Sequence, residues 1–417
     1  MARPKAIPTS SVDDLASELV EEYNKLGTGS KAYLQGEHGV NTWGVKIPHL
    51  APQWLFGGSD VIPAQRFIGL SGLAKSSKST LFVELGNWYI MSGGMHVYID
   101  NENKTSPDMF EAMARFYGND AMAQIMKRRV FVPTGSVEDW QRRMSAAIDK
   151  ARAIADRPKG ERVPILITID SLSARAAEKT QEQISDEGSA QARSFPVEAM
   201  QISKYFKAVN LIGTTSNLGF VQHLTQDISA PPGYNGPVMK ESGAAIATFA
   251  SSIHLRIQKG KAQKMAEHSD APTKGPPVEG YTIYVQTERS CVGPDKRKIQ
   301  LDLLWQYVEQ EDGSTKQVMW YDWNSALGDL LLSMKYEDKK AYAYEKERID
   351  RMLMFTQPKT GRVNCAELDL KEASTAEFGK AIEGNPEVRE KVSKLLNISK
   401  FPDVQQADCE LGCKASE

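Results

Sequence analysis

The segment Gly72-Leu73-Ala74-Lys75-Ser76-Ser77-Lys78-Ser79-Thr80 sets a lysine and a pair of hydroxyls at the junction between an apolar run and a helical pattern. Further along, Pro164-Ile165-Leu166-Ile167-Thr168-Ile169-Asp170 is an apolar strand pattern that ends in a carboxylate. Together they have the chemistry of a site for a nucleoside triphosphate and Mg2+. Backbone N–H groups at a helix N-terminus cradle phosphate oxygens. Lys78 would neutralise the terminal phosphates, the Ser79 hydroxyl would reach the metal, and Asp170 would hold that metal from a neighbouring strand tip. Gly72, Lys75, Ser76, Ser77 and Thr80 complete the expected cradle. The turn departs from the usual phosphate-loop pattern at its sixth position, where Ser77 replaces a glycine. A Cβ there either crowds the phosphate or demands an unfavourable backbone, and Lys75 adds a second cation in compensation.

Two more polar groups fall at expected strand ends. Glu102 lies just beyond the strand pattern His96–Asp100, where a carboxylate can orient an attacking water. The amide of Asn217 follows the apolar run 209–213 and is read as ending a strand beside the same site, able to sense the terminal phosphate.

These groups need a frame. From about residue 64, short apolar runs alternate with helical patterns. The runs are Arg66–Leu70, His96–Asp100, Arg129–Val132, Pro164–Asp170 and Asn210–Thr215, and the helical stretches include Lys78–Met91 and Pro196–Ala208. The pattern predicts an α/β fold with a mostly parallel central sheet covered on both faces. In such sheets ligands bind at the carboxyl ends of the strands, where the Gly72–Thr80 turn and Asp170 both fall. Ahead of this core, Leu15, Leu19, Tyr23 and Leu26 share one face of a predicted amphipathic helix over Asp13–Leu26. Strand patterns return at Ser252–Ile257, Gly280–Thr287 and Ile299–Tyr307, and after about residue 325 the chain turns helical and charged. The expected organisation is an N-terminal helix and assembly segment (1–60), a nucleotide-binding core (61–325) and a small, mostly helical C-terminal domain and tail (326–417). Two long stretches without periodicity, 175–193 and 217–242, interrupt the core, and unpatterned stretches of that length inside a compact domain are usually functional loops.

The bulk composition narrows the class. With 417 residues, 41% hydrophobic and 25% charged, the chain can bury a sizeable core. A formal net charge of -2 excludes a basic coat over the whole surface, so a polyanionic partner must be met by a local patch or by loops. Four cysteines (Cys291, Cys365, Cys409, Cys413) make no disulfide framework and point to a reducing compartment, with Cys409 and Cys413 read as free thiols in a tail. No run of apolar residues is long enough to span a membrane and the Met1 region lacks a signal peptide's apolar core, so a cytoplasmic protein without membrane association is expected.

The set and its order resemble the RecA-family recombinases, the phage UvsX-type members more than the bacterial ones. The carrying stretches are Gln65–Gly72 leading into the turn, Tyr98-Ile99-Asp100-Asn101-Glu102, Ile167-Thr168-Ile169-Asp170-Ser171-Leu172 and Glu241–Ile257. The resemblance runs in diluted form from about Asp13 to Leu304, with a faint echo of the bacterial C-terminal domain at Gly384–Lys391. It rests on the order and spacing of the motifs, since none alone is specific. It implies a RecA-like P-loop ATPase core, ATP and Mg2+ as cofactors, single- and double-stranded DNA as partners, and self-association into a helical filament that the Asp13–Leu26 helix helps to build. Glu102 matches the family's catalytic glutamate, and Asn217 its glutamine switch with a shorter amide. The stretches 175–193 and 217–242 match the two DNA-gripping loops, in which Arg193, Phe220, Tyr234 and Lys240 are the cations and aromatics that single-strand binding uses. Arg289 falls where one of the family's two interface lysines would be and is expected to complete the ATP site of an adjacent subunit; the second cation is missing. Two other readings share this core: a DNA-coating or mediator protein that hydrolyses ATP poorly, and a ring-forming helicase-like ATPase.

Overall fold

The computed structural model describes residues 43–155, 163–172, 197–209, 215–226, 239–241, 250–400 and 405–407, apart from 266–267, 275, 292, 311–312, 337–342 and 360, together with Glu18, Glu21, Glu22 and Lys25. The predicted Asp13–Leu26 helix lies mostly outside this set; its four described residues are helical and exposed, with Lys25 3.8 Å from Glu21 one turn away.

In chain order the first elements are β1 (Trp43–Lys46), α1 (Leu50–Leu55), β2 (Val61–Pro63), β3 (Phe67–Gly72), α2 (Lys78–Met91), β4 (Met95–Asp100), α3 (Pro107–Arg115), α4 (Asn119–Arg128), β5 (Arg129–Pro133), α5 (Val137–Ala155), β6 (Ile165–Asp170), α6 (Val197–Ala208), β7 (Ser216–Gln226) and β8 (Met239–Glu241). Then come β9 (Ile253–Met265), β10 (Val278–Ser290), β11 (Lys298–Glu309), β12 (Thr315–Tyr321), α7 (Trp323–Tyr336), α8 (Ala343–Met352), β13 (Thr356–Lys359), β14 (Arg362–Cys365), β15 (Leu370–Ser374), α9 (Thr375–Gly384), α10 (Pro386–Leu395) and β16 (Gln405–Ala407).

A ten-stranded mixed sheet organises the molecule, in the order β12-β11-β10-β9-β3-β7-β6-β4-β5 with β8 hooked onto β7. From β9 to β5 every neighbour is parallel, whereas β9 to β12 form an antiparallel meander. The fold is therefore α/β with a mostly parallel central sheet. Parallel strands need crossovers, and helices supply them on both faces. On one face α2 packs with α3, α4 and α7 in the main core; on the other α5 and α6 cover β4, β6 and β7 through Trp140, Met144, Ile148, Ile202 and Phe206. The main core continues into the C-terminal part through Leu330, Leu331, Phe355, Phe378 and Val392. There a three-stranded antiparallel sheet, β13-β14-β15, packs with the helices, an addition that the charged helical pattern did not announce.

The helix that follows the phosphate turn is fixed firmly. All but one residue of α2 is buried, as for a helix apolar on all sides, so packing rather than amphipathy places its N-terminus. Gly86 lets α2 lie against β4, because a Cβ there would stand 2.0 Å from the His96 ring. Even its one buried acid is accommodated: Glu84 accepts from Tyr117 Oη at 2.7 Å and from Trp323 Nε1 at 3.4 Å, and burial raises its pKa.

Thr215, the one described residue of the strand expected at Asn210–Thr215, lies outside any strand. The fifth parallel strand is Ser216–Gln226, and residues 210–214 lie outside the described set. Its apolar run is Leu218-Gly219-Phe220-Val221, and Gly219 is required because a Cβ would meet the Phe82 ring at 2.5 Å.

Candidate functional site

Four strand tips converge at the carboxyl edge of the parallel sheet. β3 ends at Gly72, whose missing side chain admits the Ile257 carbonyl of β9 and the Ser76 hydroxyl; a Cβ would lie 2.4 Å and 2.6 Å from them. The turn then enters α2 through Lys75 (φ 61°) and Ser77 (φ 69°), both left-handed. Such a backbone costs an L-residue roughly 1–2 kcal/mol, so Ser77 adopts the conformation a glycine would take freely. Left-handed residues set among right-handed ones turn successive N–H groups toward one concavity suited to anions. Ser76, Ser77, Lys78 and Thr80 are buried, while Leu73 and Lys75 are exposed.

Lys78 folds back over the turn, donating to the carbonyls of Leu73 (2.6 Å) and Gly72 (3.1 Å). Burial lowers its pKa, with Asp170 and Glu102 pulling the other way. Ser79 Oγ donates to Asp170 Oδ2, and Tyr98 Oη donates to the same oxygen at 2.5 Å. Burial raises the pKa of Asp170, and these two donors oppose the shift. A hydroxyl and a carboxylate in contact, both hard oxygen donors, fit a magnesium ion that takes the rest of its shell from phosphate and water. Ser79 and Asp170 would hold it.

Glu102 stands beside this corner on a turn built by Asp100, whose carboxylate accepts from the backbone N–H of Glu102 (2.9 Å), Asn103 (2.8 Å) and Thr105 (3.1 Å). The tips of β4 and β6 are also tied directly, since the Asp170 carbonyl accepts from Asn101 N (2.6 Å) and Glu102 N (3.2 Å). Glu102 Oε1 accepts from Ser171 Oγ at 2.8 Å and bonds His223 Nε2, while Lys104 Nζ is 3.0 Å from Oε2. The His223 hydrogen bond, with those of Lys104 and Ser171, outweighs desolvation and holds the Glu102 carboxyl at about 2.

His223 was missed in the sequence. It pairs in register with Gly72 and sits at the base of the β7–β8 hairpin. The available signal was an apolar run ended by polar groups, Leu218 to His223, of the same form as the Asp100 and Asp170 strands. Reading 217–242 as one loop concealed it: 217–226 is a sheet strand, and only 227–238 and 242 remain outside the described residues.

That shift overturns two assignments. Asn217 is the second residue of β7, paired with Leu166 at the amino end, and its buried amide donates to the carbonyls of Pro63 (2.9 Å) and Arg66 (3.3 Å). With a rise of about 3.3 Å per residue it lies roughly 20 Å from the phosphate turn and senses no phosphate there. Phe220 is only 1% exposed, its ring 5.4 Å from Phe206 and 6.5 Å from His254, so it is a core side chain and not a platform for bases.

Arg289 is exposed near the end of β10, opposite His254 of β9, which pairs with Gly69 in the middle of β3. Within one subunit it is not brought to the site. Lys240 belongs to β8, opposite Thr225. Arg193, Tyr234, Cys409, Cys413 and the stretch 175–193 lie outside the described residues. No protein-family model matches the chain, and no curated protein matches it significantly. No described helix is long and apolar enough to cross a membrane.

Proposed function

We propose that this chain is an ATP-dependent DNA strand-exchange protein of RecA type that polymerises along single-stranded DNA. The observation that carries the reading is the meeting of the Gly72–Thr80 turn, Asp170 and Glu102 at the carboxyl ends of adjacent parallel strands. The turn amides and Lys78 would hold the triphosphate, and Glu102, kept ionised by its donors, would orient water toward the terminal phosphate. Magnesium on Ser79 and Asp170 would supply positive charge to the phosphate oxygens. His223 gives the reading its link to DNA: it holds Glu102 from the root of the hairpin that leads into the second expected DNA-gripping segment, so a change at the phosphate has a direct route to that segment.

Self-association is supported by the outer edge of the sheet. Among the described residues β5 has no strand on its far side and exposes Val130 (42%) and Phe131 (39%), an edge to which a second copy can add. In this scheme Arg289, exposed near the end of β10, would serve the site of a neighbouring copy.

The test is strand exchange between homologous single- and double-stranded DNA with purified protein, ATP and Mg2+. The expected result is ATP-dependent formation of exchanged product, with helical filaments in negative-stain images. Tight ATP-dependent DNA binding without exchange would reject the recombinase reading, and closed rings would favour a motor.

A further inference from the structure

Ser77 occupies the one position of the turn where a side chain is least expected, and its surroundings are specific. Its Oγ hydrogen-bonds Tyr281 Oη, from a residue 204 positions away on β10. Its carbonyl accepts from Thr80 Oγ1 at 2.9 Å, and Tyr321 Oη lies 3.3 Å from that carbonyl and 2.9 Å from Thr80 Oγ1, donating its single proton to one of the two. Ser77 is thus gripped at both ends by tyrosines of the antiparallel half of the sheet. The Tyr281 ring is itself held, with Lys259 Nζ 4.3 Å from its centroid and the Trp305 ring at 5.9 Å.

We propose that Tyr281 is a positioning residue for the phosphate-binding turn: its hydroxyl holds Ser77 in the left-handed conformation and so replaces the freedom of the missing glycine. The proposal rests on the nucleotide-binding reading of the turn. A glycine reaches φ near 69° without penalty, whereas a serine there is held only if something selects that conformation. The hydroxyl pair does so, and it makes the turn depend on a strand that a glycine-bearing turn would not need. Tyr321 and Thr80 fix the Ser77 carbonyl independently, so Tyr281 acts on the side chain alone.

The experiment is a double-mutant cycle with Ser77→Ala, Tyr281→Phe and Ser77→Gly, read in two ways. ATP affinity is measured with Mg2+ present, and amide hydrogen exchange over residues 72–80 is measured on the ATP-free protein. Ser77→Ala and Tyr281→Phe should each weaken ATP binding about three- to tenfold, the size of one net hydrogen bond. Each should also speed exchange of the turn, and the two together should do no more than either alone. In the Ser77→Gly background, Tyr281→Phe should change neither readout. Multiplicative effects of the two substitutions, or unaltered exchange in both single variants, would overturn the proposal. Coupled exchange in a protein whose wild type binds no ATP would uphold the positioning role and reject the nucleotide reading. Ser77→Ala leaves the half-buried Tyr281 in place, so the test survives if Tyr281→Phe fails to fold.

Discussion

The two ends of the parallel strands spend their polar side chains differently. At the amino ends Asn217 donates to the carbonyls of Pro63 and Arg66, Thr215 Oγ1 donates to the Val163 carbonyl at 2.6 Å, and Gln65 N reaches the Ser216 carbonyl at 2.8 Å. Each of these bonds satisfies backbone that would otherwise be buried unpaired. At the carboxyl ends Lys78 and Asp100 likewise bond backbone groups, but a further set of side chains hold one another: Ser79 and Tyr98 on Asp170, Ser171 and His223 on Glu102, Tyr281 on Ser77. One edge completes the fold, whereas the other keeps carboxylates, hydroxyls and a lysine in an arrangement that the fold alone does not require. Burial works against Lys78 and Asp170 in their charged forms, and a bound phosphate and cation would relieve both.

The contrast is broken most forcefully at Glu102. Glu102→Gln should lower ATP hydrolysis by about 10²- to 10⁴-fold with ATP affinity little changed, as measured by phosphate release and nucleotide titration; equal rates would remove Glu102 from the chemistry. Next is Lys78→Ala, which should weaken ATP binding about ten- to a hundredfold, the range for charged hydrogen bonds, while the thermal midpoint stays near that of wild type. At the opposite edge the signs reverse. Asn217→Ala should lower unfolding free energy by about 1–3 kcal/mol in denaturant titrations, because the carbonyls of Pro63 and Arg66 lose a buried donor, and leave ATP affinity unaltered. A loss of nucleotide binding there would return Asn217 to the site.

The smallest effect is one of pH. The Glu102 carboxyl is held at about 2 in the folded chain, below its ordinary value, so its contribution is complete above the usual carboxylate range and is lost as pH falls toward 2. Thermal melts between pH 5 and 2 should therefore fall more steeply for wild type than for Glu102→Gln, by about a kilocalorie per mole or less, because the group is partly solvated.

Much of this frame was legible in the sequence because local patterns encode it. Apolar runs ending in Asp100 and Asp170, and a turn rich in lysine and serine before a helix, report strand tips and a helix N-terminus from a few adjacent residues. The β7 register was not, because the run at 209–213 competes with Leu218–Val221 and only pairing with β3 and β6 decides between them; Asn217 and Phe220 were misplaced by that slip, and His223 was hidden by it. Tyr98 looked like an ordinary strand aromatic. Tyr281 and Tyr321 reach the turn from more than two hundred residues downstream, a proximity set by the antiparallel meander that no local spacing announces.

The central claim is that the carboxyl-end cluster takes a triphosphate together with Mg2+. Titration calorimetry of ATP into the purified chain, with and without Mg2+, tests it most directly when run beside Asp170→Ala. The account predicts one ATP per chain, bound more tightly with Mg2+ than without, and an Asp170→Ala variant that keeps metal-free binding but loses the gain from Mg2+. No ATP binding by a folded wild-type chain, or a Mg2+ gain undiminished in Asp170→Ala, would contradict it.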